Sequence, residues 1–409
     1  MLRLLNENDK NEIMESISGL DSKVAGSQIV VKKSGENITA SDSMETGLAG
    51  LSVFGKSTQD GTPTPDAPIE IVSVENPEVK IHGKNLLPVI EKQWVYAGVT
   101  FVSNEDGSVT ANGTTNADED STFHIVTKDE PITLPKGTYL LSGVNDGSES
   151  TYRILIYSTD WTFLTECRTG DASFTLEEET DVFVYVWVKR GFTINKTFYP
   201  MIRLVEYKDS AYEPYTEQTL SVPYTLNGIR ATKSGNYTDL NGIQWVCDEV
   251  DFERGVLIKR LGDIVLNGSE TFSVGTHPNG QSYAVFAYKS QLNSPSMSDR
   301  YIGGLWSDED KHVYGLDANI VLTDSRFINK ETAQSILSAE KPRVLYTLPT
   351  PIETALTEEE LEAYKALYTN KPNTTVFNDA GTGMAVGYVA DAKLYIDNKF
   401  EELQALITS

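Results

Sequence analysis

The stretch Asp181–Arg190, DVFVYVWVKR, alternates valine with aromatic residues from Val182 to Val188. Successive side chains of a strand point to opposite faces. Val182, Val184, Val186 and Val188 therefore share one face, and Phe183, Tyr185 and Trp187 the other. One face must be core. If the valines take it, the three aromatics form an outward platform that can stack on the C–H faces of sugars. If the strand is central, its aromatics fill a second core layer instead. Tyr152, Tyr157 and Trp161, on the neighbouring strand and turn, extend either cluster.

The same alternation recurs on both sides. GVTFVSNEDGSVTANGT (Gly98–Thr114) places Asp106-Gly107 between two alternating runs, the strongest short hairpin signal. GTYLLSG, TYRILIYS, ASFTLEE and KTFYPMIRL are further short runs between Trp94 and Tyr215. Many short strands at close spacing predict a β-sandwich or jelly roll. A second β region runs from Leu220 to Leu348, with paired strands around Glu253-Arg254-Gly255 and strands at Tyr283 and Arg343. LNGI occurs at Leu226–Ile229 and again at Leu240–Ile243, too short a match to establish a repeat.

Helices are predicted near the termini and at 357–369. Ile13, Ile17, Leu20 and Val24 form a short apolar stripe, marginal alone in water. Thr357 and Glu360 form a capping box. Ile396, Phe400, Leu403 and Ile407 are spaced as a short coiled-coil seam, predicting self-association through short oligomerising helices at both ends. The chain divides into an N-terminal helix (1–25), a linker with a short β segment (26–83), a jelly roll (84–216), a second β domain (217–350) and a C-terminal segment (351–409). The fold class is mainly β.

Composition narrows the function. With 39% hydrophobic and 10% aromatic residues, the chain of 409 is too apolar for disorder. A net charge of −25 repels phosphates and anionic lipid, which argues against nucleic-acid or membrane partners. Cys167 and Cys247 form no C-x-x-C pair and no disulfide framework; free thiols fit a reducing cytoplasm, and a single bridge stays open. Residues 1–25 lack the apolar core of a signal peptide, and no apolar run reaches the length of a membrane span.

A search for chemistry finds no nucleophile elbow, P-loop or H-E-x-x-H motif. His82, His124, His277 and His312 stand alone and read as strand or loop residues rather than metal ligands. GTGMAVG at Gly381–Gly387 lacks dinucleotide-loop spacing and reads as a turn. The acidic clusters Glu177–Glu179 and Asp308–Asp310 could in principle supply glycosidase carboxylates, but solvated loop tips explain them. No catalytic residue, metal site or cofactor is expected.

Longer stretches carry a resemblance. GKSTQDGTPTPDAPIEIVSVENPEVKIHGKNLLP (Gly55–Pro88) and DAGTGMAVGYVADAKLYIDNKFEELQALI (Asp379–Ile407) resemble segments of tail proteins from phages and prophages of Gram-positive bacteria. FYPMIRLVEYKDSAYEPY (Phe198–Tyr215) is similar to the last strand and exit of a carbohydrate-binding-module-like jelly roll in such proteins, and NEDGSVTANGT to its early hairpin. The resemblance implies a virion structural protein of the tail tip, baseplate or fibre. It implies synthesis in the host cytoplasm, a homotrimer, other tail proteins as partners, and attachment to host-surface glycan. Calcium is common in such jelly rolls, but no calcium-loop pattern is present here. The alternative is a tail-borne glycan depolymerase or cell-wall hydrolase, for which solenoid repeats and catalytic motifs are lacking. A bacterial surface adhesin would be expected to show a secretion signal and a wall anchor.

Overall fold

Two strand pairs organise the chain in the computed structural model. Glu78–His82 pairs antiparallel with Glu217–Ser221, with His82 opposite Glu217, and the residues between them form a β-sandwich. Val256–Val265 pairs with Arg343–Ala355, with Val265 opposite Arg343, and most of the residues between them form a further unit, while Ser296–Ser298 returns to pair with Arg343–Ala355. Each excursion leaves and returns at adjacent strand ends, as in a domain inserted with its own core. The structure describes residues 29–35, 38–40, 44–90, 92–144, 151–207, 211–231, 234–239, 241–288, 290–291, 294–304, 307, 309–316, 319–367, 374–378 and 382–390. Both expected oligomerising helices, with Ile13–Val24 and Ile396–Ile407, lie outside these residues.

The base is a seven-stranded antiparallel sheet in the order Ile29–Gly35, Gly383–Ala390, Met44–Phe54, Glu249–Asp251, Val256–Val265, Arg343–Ala355 and Ser296–Ser298. It shares a core with a four-stranded sheet (Glu217–Ser221, Glu78–His82, Thr374–Asn378, Ile38–Ala40) through Leu51, Val53, Ile81, Leu220, Val376 and Met384. Strands from the stretches read as linker, second β domain and C-terminal segment are thus interleaved in one sheet. The GTGMAVG stretch corrects its reading as a turn, because Gly383–Ala390 is a strand. Met384 and Val386 alternate into the core, and Gly383 lies so close to the Tyr237 ring that no Cβ would fit.

The unit between Val265 and Arg343 packs a five-stranded sheet (Phe272–Thr276, Ser282–Phe286, Asn319–Thr323, His312–Leu316, Ile302–Gly303) against the helix Lys330–Glu340. The sequence reading missed this helix, having confined helices to the termini and 357–369. The helix buries only Ala333 and Leu337, too short a stripe to show a period. Its ends were legible: Asn329 and Thr332 cap each other's backbone N–H groups, and Lys341 at φ 48° ends the helix before Pro342. The helix Glu358–Lys365 forms with the anticipated Thr357–Glu360 capping box. LNGI is not a structural repeat. The first copy joins strands Thr225–Leu226 and Gly228–Arg230, whereas in the second Asp239 accepts from the N–H groups of Asn241 and Ile243 in a tight turn.

In the sandwich, Thr180–Val188 is the central strand. Tyr152–Ser158 and then Phe163–Cys167 lie on one side of it; Ser121–Val126 and Ile132–Leu134 pair along the other. Across the core lie a four-stranded sheet (Thr193–Phe198, Val109–Thr114, Val99–Ser103, Gln93–Tyr96) and a three-stranded one (Ala172–Leu176, Gly137–Ser142, Met201–Leu204). Phe101 stacks on Phe123 at 5.3 Å, and Tyr152 meets Phe198 edge-on at 5.6 Å, closing the two layers. The Asp106-Gly107 hairpin forms as expected: Asp106 accepts from the Ser108 N–H, and Gly107 takes φ 78°. Cys167 and Cys247 are both free and buried.

Candidate functional site: an aromatic face on the sandwich

The four valines of the central strand all point into the sandwich core and are fully buried. The opposite face therefore turns outward, and its neighbours follow from register. Arg153, Leu155 and Tyr157 stand beside Trp187, Tyr185 and Phe183, and His124 stands beside Tyr185 on the other flank. Side chains directly opposite on one face are in contact range. Tyr157 stacks on Phe183 at 5.7 Å and on Tyr185 at 5.9 Å. His124 lies 5.1 Å from Tyr185.

Not all of this row meets solvent. Phe183 is fully buried beneath Tyr157 and Trp161, the latter edge-on at 5.0 Å. Tyr185 and Trp187 are half-buried. Tyr152 belongs to the other face: it sits opposite Val188 and is buried in the inner core. The expectation of six aromatics on one exposed surface is therefore corrected for Phe183 and Tyr152, which support the face without reaching its surface. Tyr157, Trp161, Tyr185 and Trp187 remain on it.

The most exposed members sit on the turn and strand that follow Ser158. Trp161 is 58% and Phe163 51% exposed, and Phe163 meets Tyr157 edge-on at 5.4 Å. Trp161 adopts φ 71°, a left-handed conformation that costs an aromatic residue about 1–2 kcal/mol. The turn holds it there. The Trp161 N–H donates to the Ser158 carbonyl at 2.9 Å, and the Asp160 carboxylate accepts from the Thr162 N–H at 3.0 Å and from the Ser158 hydroxyl. The Ser158 hydrogen bond, followed by those from Thr162, keeps the Asp160 carboxyl below the usual range. These hydrogen bonds hold an exposed tryptophan in a strained backbone.

Polar groups frame the rings. The Arg153 guanidinium lies 4.3 Å over Trp187 and 3.1 Å from Glu166. The Trp187 indole N–H donates to Asp120 at 3.3 Å, and Lys128 lies 5.1 Å over Trp161. Burial, then the hydrogen bond and charge of Tyr157, raise the Tyr185 hydroxyl, so it stays protonated at neutral pH. Burial, then the charge of Lys92, lower His124, which favours its neutral form. The face thus offers neutral donors and acceptors beside ring surfaces. Sequence reasoning missed Phe163, His124 and Arg153. Phe163 shows a weak signal as an aromatic two residues beyond Trp161, and Arg153 shares the face of Tyr157 by even spacing within one strand, but His124 joins only through register.

The remaining candidates have structural surroundings. Asp310 accepts from the N–H and hydroxyl of Ser325 and from Gln281, pinning a loop. Glu177, Glu178 and Glu179 are exposed. His82, His124 and His312 lie in strands, and His277 opens a turn closed by Gln281. Among the described residues no group of three or more His, Cys, Asp or Glu could hold a metal ion, and no helix is long and apolar enough to cross a membrane. Comparison with protein-family models, with curated proteins and with solved structures gives no match to this chain.

Proposed function

We propose that this chain is a non-enzymatic structural protein of a bacteriophage tail, at its tip, baseplate or fibre, and that its sandwich contacts host-surface glycan. The observation that carries the binding reading is the aromatic face, with Trp161 and Phe163 held out in water over a fixed sheet. Exposed aromatic surface of this kind is costly without a partner, and rings beside neutral hydrogen-bonding groups suit sugars. The tail assignment is supported by the resemblance of Gly55–Pro88 and Asp379–Ile407 to phage tail segments. Buried free thiols agree with synthesis in a reducing host cytoplasm before incorporation into the virion.

Trp161→Ala should lower binding of the full chain to host cell-wall polysaccharide by about 10-fold or more, with its circular dichroism spectrum unchanged. Loss of one stacked aromatic of about 1.4 kcal/mol corresponds to that factor. Unaltered binding by both Trp161→Ala and Tyr185→Ala would reject the face as the site. The same reading makes the chain a homotrimer with other tail proteins as neighbours. Mass photometry at micromolar concentration should give three chains per particle, and Phe400→Asp with Leu403→Asp should shift particles toward monomer. A monomer in the unaltered protein would reject the assembly.

A further inference from the structure

A groove of about 410 Å³ beside strand Ser121–Val126 is lined by Trp94 and Tyr96 of strand Gln93–Tyr96 and by Thr122 and His124 of strand Ser121–Val126. Strand Gln93–Tyr96 is exposed along its whole length, and Trp94 is 52% exposed. The groove adjoins the aromatic face at two points. His124 lines the groove while its ring lies 5.1 Å from Tyr185. Thr127 lines the groove, and the next residue, Lys128, lies over Trp161.

We infer that face and groove are one track for an uncharged glycan chain of several sugars, entering at Trp161 and Phe163, crossing Tyr185 and His124, and ending against Trp94 and Tyr96. The inference rests on the glycan reading of the aromatic face and extends it to a ligand class. Length follows from the spread of rings along the track, since a single sugar covers one or two of them. Absence of charge follows from the borders. Arg153 and Arg190 are engaged by Glu166 and Asp120. Lys92 and Lys128 pack on the rings of Phe123 and Trp161. Glu119 accepts from the Tyr96 hydroxyl at 2.7 Å, and Glu130 stands close enough to act on the charge of Lys92. The whole chain carries −25. With four border cations matched by four carboxylates, a polyanion finds no surplus of positive charge and meets the negative field of the whole chain, whereas a neutral chain meets rings and hydroxyls.

Calorimetry on the full chain tests this with neutral gluco- and galacto-oligosaccharides of one to six sugars and uronic-acid oligomers of equal length. Affinity for neutral chains should rise by 10-fold or more from two sugars to five, and uronic-acid chains should bind at least 10-fold more weakly. Trp94→Ala should cost the longer neutral chains about 10-fold and the shortest less than 2-fold, with an unchanged melting temperature. Tyr185→Ala should weaken chains of every length. If Tyr185→Ala weakens binding but affinity ignores chain length and Trp94→Ala, the glycan site stands and the track is refuted. Uronic-acid chains binding as tightly as neutral ones would refute its neutral specificity. If no oligosaccharide of either set binds, the inference falls; binding to host polysaccharide then decides whether the face itself survives.

Discussion

Asp248→Ala should lower the unfolding free energy by about 3–5 kcal/mol, the cost of taking one partner from a buried, hydrogen-bonded ion pair. The Asp248 carboxylate is fully buried where three segments meet. One oxygen accepts from the N–H groups of Arg260 at 2.8 Å and Leu261 at 3.1 Å. The other accepts from the Asn227 N–H at 3.0 Å and from Lys259 at 2.6 Å. Those donors matter because the ladder between Val256–Val265 and Arg343–Ala355 breaks its register between Lys259 and Leu261, and Asp248 satisfies the backbone at that break. Alanine leaves buried N–H groups without a partner, each worth about 1–3 kcal/mol, and an ammonium without its carboxylate. Lys259 is partly exposed and also donates to the Thr225 carbonyl, so water recovers part of its share. Asp248→Asn, which keeps one acceptor oxygen, should fall between wild type and alanine. Urea unfolding followed through Trp245, buried three residues away in sequence, reads the effect. A loss below about 1 kcal/mol for alanine would mean that water reaches the site and the carboxylate is dispensable.

Local alternation was enough to find the sandwich strands, because each run declares its faces without knowledge of its partners. The Asp106-Gly107 hairpin and the Thr357 cap were legible for the same reason: both are settled within a few residues. The insertions were not. That His82 lies opposite Glu217, and Val265 opposite Arg343, depends on pairing between distant segments, and no short pattern encodes it. The serial division of the chain therefore missed a base sheet assembled from strands near both ends of the described chain.

The candidate site shows the same limit more sharply. Alternation in DVFVYVWVKR fixed which side chains share a face but not what covers them. Phe183 is buried because Tyr157 and Trp161 come over it from the next strand and turn. Tyr152 could have been separated from Tyr157 by parity alone, since an odd spacing within one strand places them on opposite faces. His124 and the Trp94 groove are brought in by cross-strand register and by the meeting of two sheet edges, which a linear reading does not supply.

The strand pair that carries the sandwich should also make the protein acid-sensitive. His82 is buried opposite Glu217, with its Nδ1 3.8 Å from the carboxylate and its ring between Tyr215 and Phe377 at 5.9 and 5.4 Å. Lys80 and Glu179 complete the polar wall of the adjoining cavity of about 290 Å³. Burial pulls the His82 pKa down to about 4; the Glu217 charge opposes this and Lys80 adds to it. Well above pH 6.5 the imidazole is neutral in both folded and unfolded chains, and its contribution to stability is complete. As pH falls from 6.5 toward 4, the unfolded chain takes up a proton that the folded chain refuses, so stability declines. Below pH 4 both forms are protonated and the loss levels off. The shift corresponds to about 3 kcal/mol across that window. His82→Gln removes the titration while keeping a polar side chain. The melting temperature of the variant should therefore fall less steeply than that of the wild type between pH 6.5 and 4. Carboxylates remote from His82 that titrate in the same range act in both proteins and cancel in the difference; Glu217, 3.8 Å from the ring, is the exception. Parallel curves would show that His82 takes its proton in the folded state as readily as in the unfolded one. A steeper wild-type curve would place the acid-labile point at the junction between base and sandwich, where Tyr207 also hydrogen-bonds to Thr375 and Phe377 enters the sandwich core. Acid would then act first on the seating of the sandwich against the base.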